Sequence, residues 1–145
     1  MKPSNHITLE IESMPENVSL TRVVAAAFLS PLDPDVTELT DVKTAISEAV
    51  TNAIIHGYEN ENPENRVCMS LTLQDRLLTV VVSDKGVGIP DIPEAREPLF
   101  TTKPELERSG LGFTVMESFM DTVDVTSTPG EGTTITLTKT LATHG

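Results

Sequence analysis

The segment Ser47–Gly57 reads "SEAVTNAIIHG" and combines an apolar helical pattern with two polar residues at a regular spacing. Apolar residues recur at short intervals between Ala45 and Ile54, which predicts a helix with one broad buried face. Glu48 and Asn52 lie four residues apart in the sequence, so they stack one turn apart on the flank beside that face. Taken alone, this pair fits a solvated polar stripe as well as a functional site.

The helix is predicted to extend from Asp35 to His56 and to end at Gly57. Before it, the alternation of apolar and polar residues over His6–Ile11 predicts a half-buried strand, and Pro15–Leu29 is predicted to form a first helix. The prolines of the intervening "SPLDPD" disfavour helix, so two separate helices are expected.

The remainder of the chain predicts four more strands and one more helix. "RVCMSLTLQ" and "RLLTVVVSD" are predicted to form a hairpin around Asp75, Phe113–Met120 a third helix, and "DTVDVTST" and "TTITLTKT" two final strands around the turn "PGEG". The expected fold class is therefore α/β: a two-layer sandwich whose mixed, mostly antiparallel sheet of about five strands carries its helices on one face. A chain of 145 residues suits a single domain spanning residues 1–145.

The charge and composition argue against several classes of partner. The formal net charge of −12 disfavours direct binding of nucleic acid or of an anionic membrane, because both need a cationic surface. No apolar run suits a signal peptide or a transmembrane helix. The single cysteine, Cys68, cannot form an internal disulfide, so we expect a cytoplasmic protein.

Glycine is concentrated around a long segment without regular periodicity, from Lys85 to Gly112. Six of the eight glycines lie between Gly86 and Gly132, in the clusters "DKGVGIP", "SGLGF" and "GEGTT". A long irregular segment inside a domain is usually either functional or disordered. Since glycine lets the backbone approach a ligand closely, three clusters flanking one segment favour a binding site.

Two of these clusters suit particular parts of a ligand. Asp84 ends a predicted strand and precedes Gly86 and Gly88, so its carboxylate can accept a hydrogen bond from a ligand amine above a flat backbone. A simple turn explains this motif equally well. Gly110 and Gly112 open the third helix, where free N–H groups and the helix dipole favour phosphate. On its own, this second motif also fits an ordinary glycine-rich helix start.

Other common signatures are missing from the sequence. It contains no G-x-x-x-x-G-K-[ST] phosphate-binding loop and no H-E-x-x-H zinc motif, and we assign His56 no chemistry. Mg²⁺ prefers oxygen ligands, keeps several waters and often binds together with substrate phosphates. The amide oxygen of Asn52 suits this ion, and Glu48 one turn away can hold a water of the ion or accept a proton from an attacking hydroxyl.

Four segments in order, "EAVTNAIIHGY", "DKGVGIPD", "LFTTKPELERSGLGF" and "GEGTT", resemble the N, G1, G2 and G3 boxes of the GHKL ATPase and kinase superfamily. This superfamily includes histidine kinases, Hsp90, gyrase B and MutL. Within it, the sequence is most similar to the sporulation anti-sigma factors that are serine protein kinases, and the resemblance covers essentially the whole chain. It implies the Bergerat form of the two-layer sandwich, with ATP bound under a mobile lid.

The resemblance implies a role for each matching residue. Glu48 would be the general base acting on a substrate serine, Asn52 would be the Mg²⁺ ligand, and Asp84 would bind the adenine amino group. The residues that it places around ATP are Asn52, Asp84, Gly86, Gly88, Thr101, Thr102, Lys103, Arg108, Ser109, Gly110, Leu111, Gly112, Thr133 and Thr134.

Within this set, the resemblance distinguishes three groups. Thr101–Arg108 would form the lid, and either Thr133 or Thr134 would support the adenine through a hydroxyl or a water. Arg108 and Lys103 would balance the charge of the β- and γ-phosphates. Because the chain is acidic, Mg²⁺ and these cations are needed to neutralise the nucleotide.

The resemblance also implies protein partners. It implies a homodimer that binds a sigma factor of the sigma-F type and phosphorylates an anti-anti-sigma protein, with Arg22 on the first helix in a partner-contact position. The alternatives are a non-catalytic, ATP-gated sigma-binding module and a related switch kinase of the sigma-B type. A histidine kinase catalytic domain and a gyrase- or MutL-type ATPase are less favoured, since we expect neither phosphoacceptor helices before the boxes nor a transducer domain after them.

Overall fold

The computed structural model describes residues 4–54, 65–86, 112–128 and 131–142. Five strands and three α-helices lie within these ranges, and each corresponds to a predicted element with ends shifted by a few residues. In chain order the elements are β1 (Ser4–Glu12), α1 (Glu16–Leu29), a short 3₁₀ helix (Ser30–Leu32), α2 (Val36–Asn52), β2 (Arg66–Gln74), β3 (Leu77–Asp84), α3 (Gly112–Phe119), β4 (Thr122–Thr128) and β5 (Gly132–Thr140).

The five strands form one sheet in the order β1-β2-β3-β5-β4. The predicted α/β sandwich is confirmed. All four neighbouring pairs of the described strands are antiparallel. The parallel pair that a mixed sheet would contain is therefore not found among the described strands. β2 and β3 form the predicted hairpin through a two-residue turn at Asp75 and Arg76. Asp75 has a positive φ of 57°, a conformation that Asp tolerates better than most residues.

The sheet has one buried face because apolar residues alternate along the strands in register with each other. Met69 in the middle of β2 pairs with Val82 of β3, and Val82 pairs with Ile135 of β5. All three side chains are almost fully buried. The residues between them in sequence point to the opposite face of the sheet. We call the buried side the inner face.

The helices cover the inner face, with α2 packed against both α1 and α3. α2 begins as predicted, because the Asp35 side chain accepts a hydrogen bond from the Glu38 backbone N–H at 2.7 Å and so caps the helix. The predicted end of this helix at His56 lies outside the described residues. Among the helices that the structure describes, none has the length and apolar character needed to cross a membrane. The buried stripe of α2 consists of Val42, Ala45, Ile46, Ala49 and Val50.

The last described residues close one end of the sheet. The backbone N–H of Leu141 donates to the carbonyl of Arg76 at 2.9 Å, and the Arg76 side chain donates back to the carbonyl of Leu141 at 3.1 Å. The N–H of Ala142 donates to a carboxylate oxygen of Glu38 at 2.6 Å, which links this segment to the first turn of α2. β3 begins at this closed end and finishes at Asp84, so Asp84 lies at the opposite end of the sheet.

Candidate functional site

Three polar residues lie side by side on the inner face at the end of the sheet where β3 terminates. Asp84 of β3 is directly opposite Thr133 of β5, and Thr133 is directly opposite Ser127 of β4. Asp84 and Thr133 are only 8% and 5% exposed. Buried polar side chains lose hydration without adding hydrophobic stabilisation, so their presence on an apolar face calls for a function. We call these three residues the polar row.

The Asp84 carboxylate is held by backbone donors. Its Oδ1 accepts a hydrogen bond from the Gly86 N–H at 2.8 Å, and the backbone N–H of Thr133 also donates to it. Burial raises the pKa of the Asp84 carboxyl above its usual range, while the two hydrogen bonds act in the opposite direction. A ligand N–H would offset part of this desolvation, which makes Asp84 a suitable acceptor for an amine.

Gly132 allows β5 to begin close against the end of β3. Its φ of +115° is a conformation that favours glycine. A Cβ at this position would lie 2.1 Å from the carbonyl oxygen of Asp84 and 2.7 Å from the Cα of Lys85, too close for any side chain. This close approach brings the next residue, Thr133, into register beside Asp84.

The Thr133 hydroxyl is paired with the neighbouring strand. Its Oγ1 lies 2.9 Å from the Oγ of Ser127, and the Ser127 hydroxyl donates to the carbonyl of Gly132 at 3.0 Å. Sequence reasoning assigns a role to neither Ser127 nor Gly132. The sequence feature that could have pointed to Gly132 is its place in the "GEGTT" cluster. Ser127 lies in a strand rich in Ser and Thr, with no motif around it.

Thr133 and Thr134, the two alternatives that the resemblance leaves open, lie on opposite faces of the sheet. Thr134 pairs with Ser83 and Thr126 on the face away from the helices. Thr133 has the same parity as the buried Ile135. Of the two threonines, only Thr133 belongs to the polar row.

Glu48 and Asn52 are both half-buried, and Asn52 is the last residue of α2. Ser47, the residue before Glu48, accepts a hydrogen bond at 3.3 Å from Nη1 of Arg22 on α1, so the Ser47 flank of α2 faces α1. At about 3.6 residues per turn, Glu48 and Asn52 lie on the opposite side of the buried stripe of α2 from Ser47. The two oxygen-bearing side chains therefore share one flank of α2.

The chemistry of these two side chains suits a magnesium ion. Both present oxygen atoms, and Mg²⁺ typically takes one or two protein ligands while it keeps several waters. Within the described ranges, no three His, Cys, Asp or Glu side chains come together as a metal-binding group. The two oxygen-bearing side chains of Glu48 and Asn52 match the small number of protein ligands that Mg²⁺ usually takes.

Gly112 is the first residue of α3, whose Phe113 and Met116 side chains are buried and anchor the helix. The first N–H groups of a helix have no partner within it and attract anions, which suits the predicted role of Gly112 as a phosphate donor. The other predicted contacts, including the lid, lie outside the described residues and stay predictions. They are Gly88, Thr101, Thr102, Lys103, Arg108, Ser109, Gly110 and Leu111.

Solved structures share this fold at low sequence identity. One is the structure of the RsbU and RsbW domains of a protein from Mycobacterium tuberculosis, with a TM-score of 0.67 and 23% identity, where the match covers 97% of this chain and 33% of that chain. Another is the catalytic domain of the histidine kinase ThkA, with a TM-score of 0.55 and 15% identity over 92% of this chain and 95% of that one. At these identities the likeness concerns the fold alone.

Relatives in sequence are much more similar. The chain matches the family described as "Histidine kinase-like ATPase domain" over residues 11–139. It is 56% identical over 138 residues to the anti-sigma F factor of Bacillus subtilis strain 168, covering 95% of this chain and 94% of the relative. The anti-sigma F factors of Geobacillus kaustophilus and Oceanobacillus iheyensis are 56% and 53% identical with the same coverage. The resemblance carried by the four sequence boxes is confirmed: the chain belongs to the anti-sigma F factor family and has a histidine kinase-like ATPase domain.

Proposed function

We propose that this protein is a cytoplasmic, Mg-ATP-dependent protein-serine kinase that also binds and inhibits a sigma factor of the sigma-F type during sporulation. Its phosphorylation substrate would be a serine of an anti-anti-sigma protein. The observation that carries this proposal is the buried carboxylate of Asp84 in the polar row, in a chain of the anti-sigma F factor family with a histidine kinase-like ATPase domain.

Asp84 would bind the exocyclic amine of adenine. The hydrogen bond from the Gly86 N–H at 2.8 Å orients its carboxylate, and an amine N–H would supply a polar partner in place of the lost water. Gly86 and Gly88 would form the floor below the base, and Thr133 would support the base through its hydroxyl. These roles follow the resemblance and agree with the burial of Asp84 and Thr133.

The phosphates would be held by cations and by backbone donors. Because the chain carries a formal charge of −12, the anionic nucleotide needs local positive charge. Asn52 would hold Mg²⁺ through its amide oxygen, and the bound ion would supply charge neutralisation at the phosphates. Gly110 and Gly112 would donate backbone N–H groups. The remaining contacts, on the lid and beside it, would come from Thr101, Thr102, Lys103, Arg108, Ser109 and Leu111.

Glu48 would act as the general base. The serine oxygen of the substrate would form a bond to the γ-phosphorus while the bond from that phosphorus to the bridging oxygen breaks, so that ADP leaves and the serine proton moves to the Glu48 carboxylate. The position of Glu48 on the same flank of α2 as Asn52 supports this role, because the attacking hydroxyl and the phosphates must meet in one place.

Helix α1 carries features of a surface for a protein partner. Leu20 and Val23, on either side of Arg22 in the sequence, are 45% and 65% exposed. Exposed apolar side chains on the helix that also carries Arg22 suit a partner with apolar groups, and the guanidinium suits a partner carboxylate. Arg22 would donate to a carboxylate of the sigma factor. Its hydrogen bond to Ser47 at 3.3 Å holds the Arg22 side chain beside α2.

Self-association into a homodimer is also part of the proposal. β1 is an edge strand of nine residues and, among the described strands, it is paired on one side only, with β2. Such an edge offers a row of backbone donors and acceptors to a second chain. This edge supports a dimer, and the family resemblance supplies the expectation that a dimer forms.

The experiment that tests the proposed activity is transfer of labelled γ-phosphate from Mg-ATP to a purified anti-anti-sigma protein. We expect transfer to serine, and a rate lower by about 100-fold or more in Glu48→Ala with ATP affinity retained, because a general base contributes on the order of 10²–10⁴ in rate. Asp41→Ala is the matched control, since Asp41 is a half-buried carboxylate on the same flank of α2. This control should transfer phosphate at the parental rate.

Two outcomes would contradict parts of this proposal. Transfer at the parental rate by Glu48→Ala would exclude Glu48 as the base. Tight ATP binding by the unaltered protein without any transfer would leave the alternative, a non-catalytic and ATP-gated module that binds the sigma factor.

A further inference from the structure

The polar row contains a pair of hydroxyl groups whose protons are ordered by their surroundings. The Oγ of Ser127 lies 3.0 Å from the carbonyl oxygen of Gly132 and 2.9 Å from the Oγ1 of Thr133. A serine hydroxyl carries one proton, and a carbonyl oxygen only accepts, so the Ser127 proton is directed to Gly132. The bond between Ser127 and Thr133 then requires the proton of Thr133, which makes Thr133 its donor.

This arrangement presents Thr133 to a ligand as a hydrogen-bond acceptor. Its one proton is engaged with Ser127, so the lone pairs of Oγ1 remain for a molecule lying over the polar row. Asp84 is directly opposite Thr133, and its ionised carboxylate is an acceptor as well. Side chains of directly opposed residues begin about 5 Å apart, so one amino group of a ligand can reach both. An exocyclic amine carries two hydrogens and can donate one to each acceptor, whereas both acceptors repel a carbonyl oxygen in the same place.

We propose that Ser127 is a positioning residue for base specificity: by fixing the Thr133 proton, it makes the site select a 6-amino purine nucleotide over a 6-oxo purine nucleotide. This inference rests on the proposed binding of ATP at Asp84 and adds a residue that controls which base is accepted there. Without the Ser127 hydroxyl, the Thr133 hydroxyl is free to rotate and to donate to a 6-oxo group. Selectivity against that group then decreases.

A purely structural role for Ser127 would give a different result. If its hydroxyl only held β4 against β5, its loss would weaken the binding of every nucleotide to a similar extent. The ratio of two dissociation constants therefore separates the two roles, because a general loosening of the site cancels in the ratio. ATP and ITP form a suitable pair, since ITP carries a 6-oxo group where ATP carries a 6-amino group.

The test measures the dissociation constants of Mg-ATP and Mg-ITP by isothermal titration calorimetry for the unaltered protein, Ser127→Ala and Ser127→Thr. We expect the ratio of the ITP to the ATP dissociation constant to fall about three- to tenfold in Ser127→Ala. A change of this size corresponds to what one neutral hydrogen bond contributes to binding. Ser127→Thr keeps a hydroxyl and should restore the parental ratio. Thr126→Ala is the matched control, since Thr126 is the neighbouring residue of β4 and is exposed on the other face; its ratio should not change.

The possible results separate this inference from the proposed function. An unchanged ratio in Ser127→Ala, or an equal loss of affinity for both nucleotides, would overturn the role of Ser127 while ATP binding stands. A ratio in Ser127→Thr that matches Ser127→Ala would also overturn it. Failure of the unaltered protein to bind ATP at all would overturn the proposed function, and the inference with it.

Discussion

Two rows of side chains cross the inner face of the same sheet, and they differ in chemistry although the same five strands build them. The first row, which we call the apolar row, consists of Ile7, Leu71, Val80, Leu137 and Val123. The second row lies four residues away on every strand, towards the end of the sheet at Asp84, and includes the polar row. It consists of Ile11, Val67, Asp84, Thr133 and Ser127.

The two rows differ in how much they stabilise the fold, and the less stabilising row contains the proposed nucleotide site. Leu137 and Val80 are completely buried, and each such side chain contributes about 1.5–3 kcal/mol by leaving water. Asp84 and Thr133 are also buried but lack that contribution, and burial raises the pKa of Asp84. Functional sites commonly show this departure from the rules of a good core. We therefore expect substitutions in the apolar row to lower stability and substitutions in the polar row to alter binding.

The largest effect on stability is expected from Leu137→Ala in the apolar row. Removing a fully buried leucine side chain should lower the free energy of unfolding by about 2–5 kcal/mol, through lost burial and the cavity that remains. ATP affinity measured on the folded variant should stay at the parental value. Urea unfolding and calorimetric titration measure the two quantities. A large loss of ATP affinity in the folded variant would remove the distinction between the rows.

A slightly smaller effect is expected from Gly132→Ala at the start of β5. The new Cβ would meet the carbonyl oxygen of Asp84 at 2.1 Å, in a backbone conformation with a φ of +115°, so the free energy of unfolding should fall by about 2–4 kcal/mol. Thermal and urea unfolding measure it. Thr136→Ala, on the same strand and the other face, is the control and should change stability by less than about 1 kcal/mol. A Gly132→Ala protein as stable as its parent would show that the strands need not approach so closely.

The smallest effect is expected in the pH dependence of stability. Burial raises the pKa of Asp84 in the folded protein above its unfolded value, so the folded state holds more protons between these two pKa values. The free energy of unfolding then falls as the pH rises through that window and becomes level above the folded pKa. In Asp84→Asn this contribution is absent, so its stability relative to the parent should rise with pH across the window.

Urea unfolding at a series of acidic and neutral pH values checks this pH dependence. Asp124→Asn, which changes an exposed carboxylate on β4, serves as the control. Parallel stability curves for the parent and Asp84→Asn would contradict the raised pKa.

Much of the fold follows from local pattern in the sequence. Alternation in "RVCMSLTLQ" and in the strand ending at Asp84 predicts both the hairpin and its buried face, since apolar residues with a period of two fit one face of a sheet. Asp35 marks the start of α2 because its side chain can cap the helix. Asp84 itself stands out as a carboxylate between a strand end and a glycine cluster.

The rest of the candidate site depends on contacts between distant segments. The parity of Thr133 with Ile135 and Leu137 is the sequence signal that separates it from Thr134. No local pattern predicts that Ser127 lies opposite Thr133, because that depends on the register between β4 and β5. The requirement for glycine at Gly132 likewise comes from the backbone of another strand, at Asp84.

The most direct test of the central claim, that the polar row binds a nucleotide, is Mg-ATP binding by Asp84→Asn beside the unaltered protein, with urea unfolding measured on the same samples. We predict that affinity falls by about 10- to 150-fold, because a hydrogen bond to a charged group contributes about 1.5–3 kcal/mol. At neutral pH, the free energy of unfolding of this variant should equal or exceed that of the parent. An unchanged ATP affinity in a folded Asp84→Asn protein would contradict the assignment of the polar row as the nucleotide site.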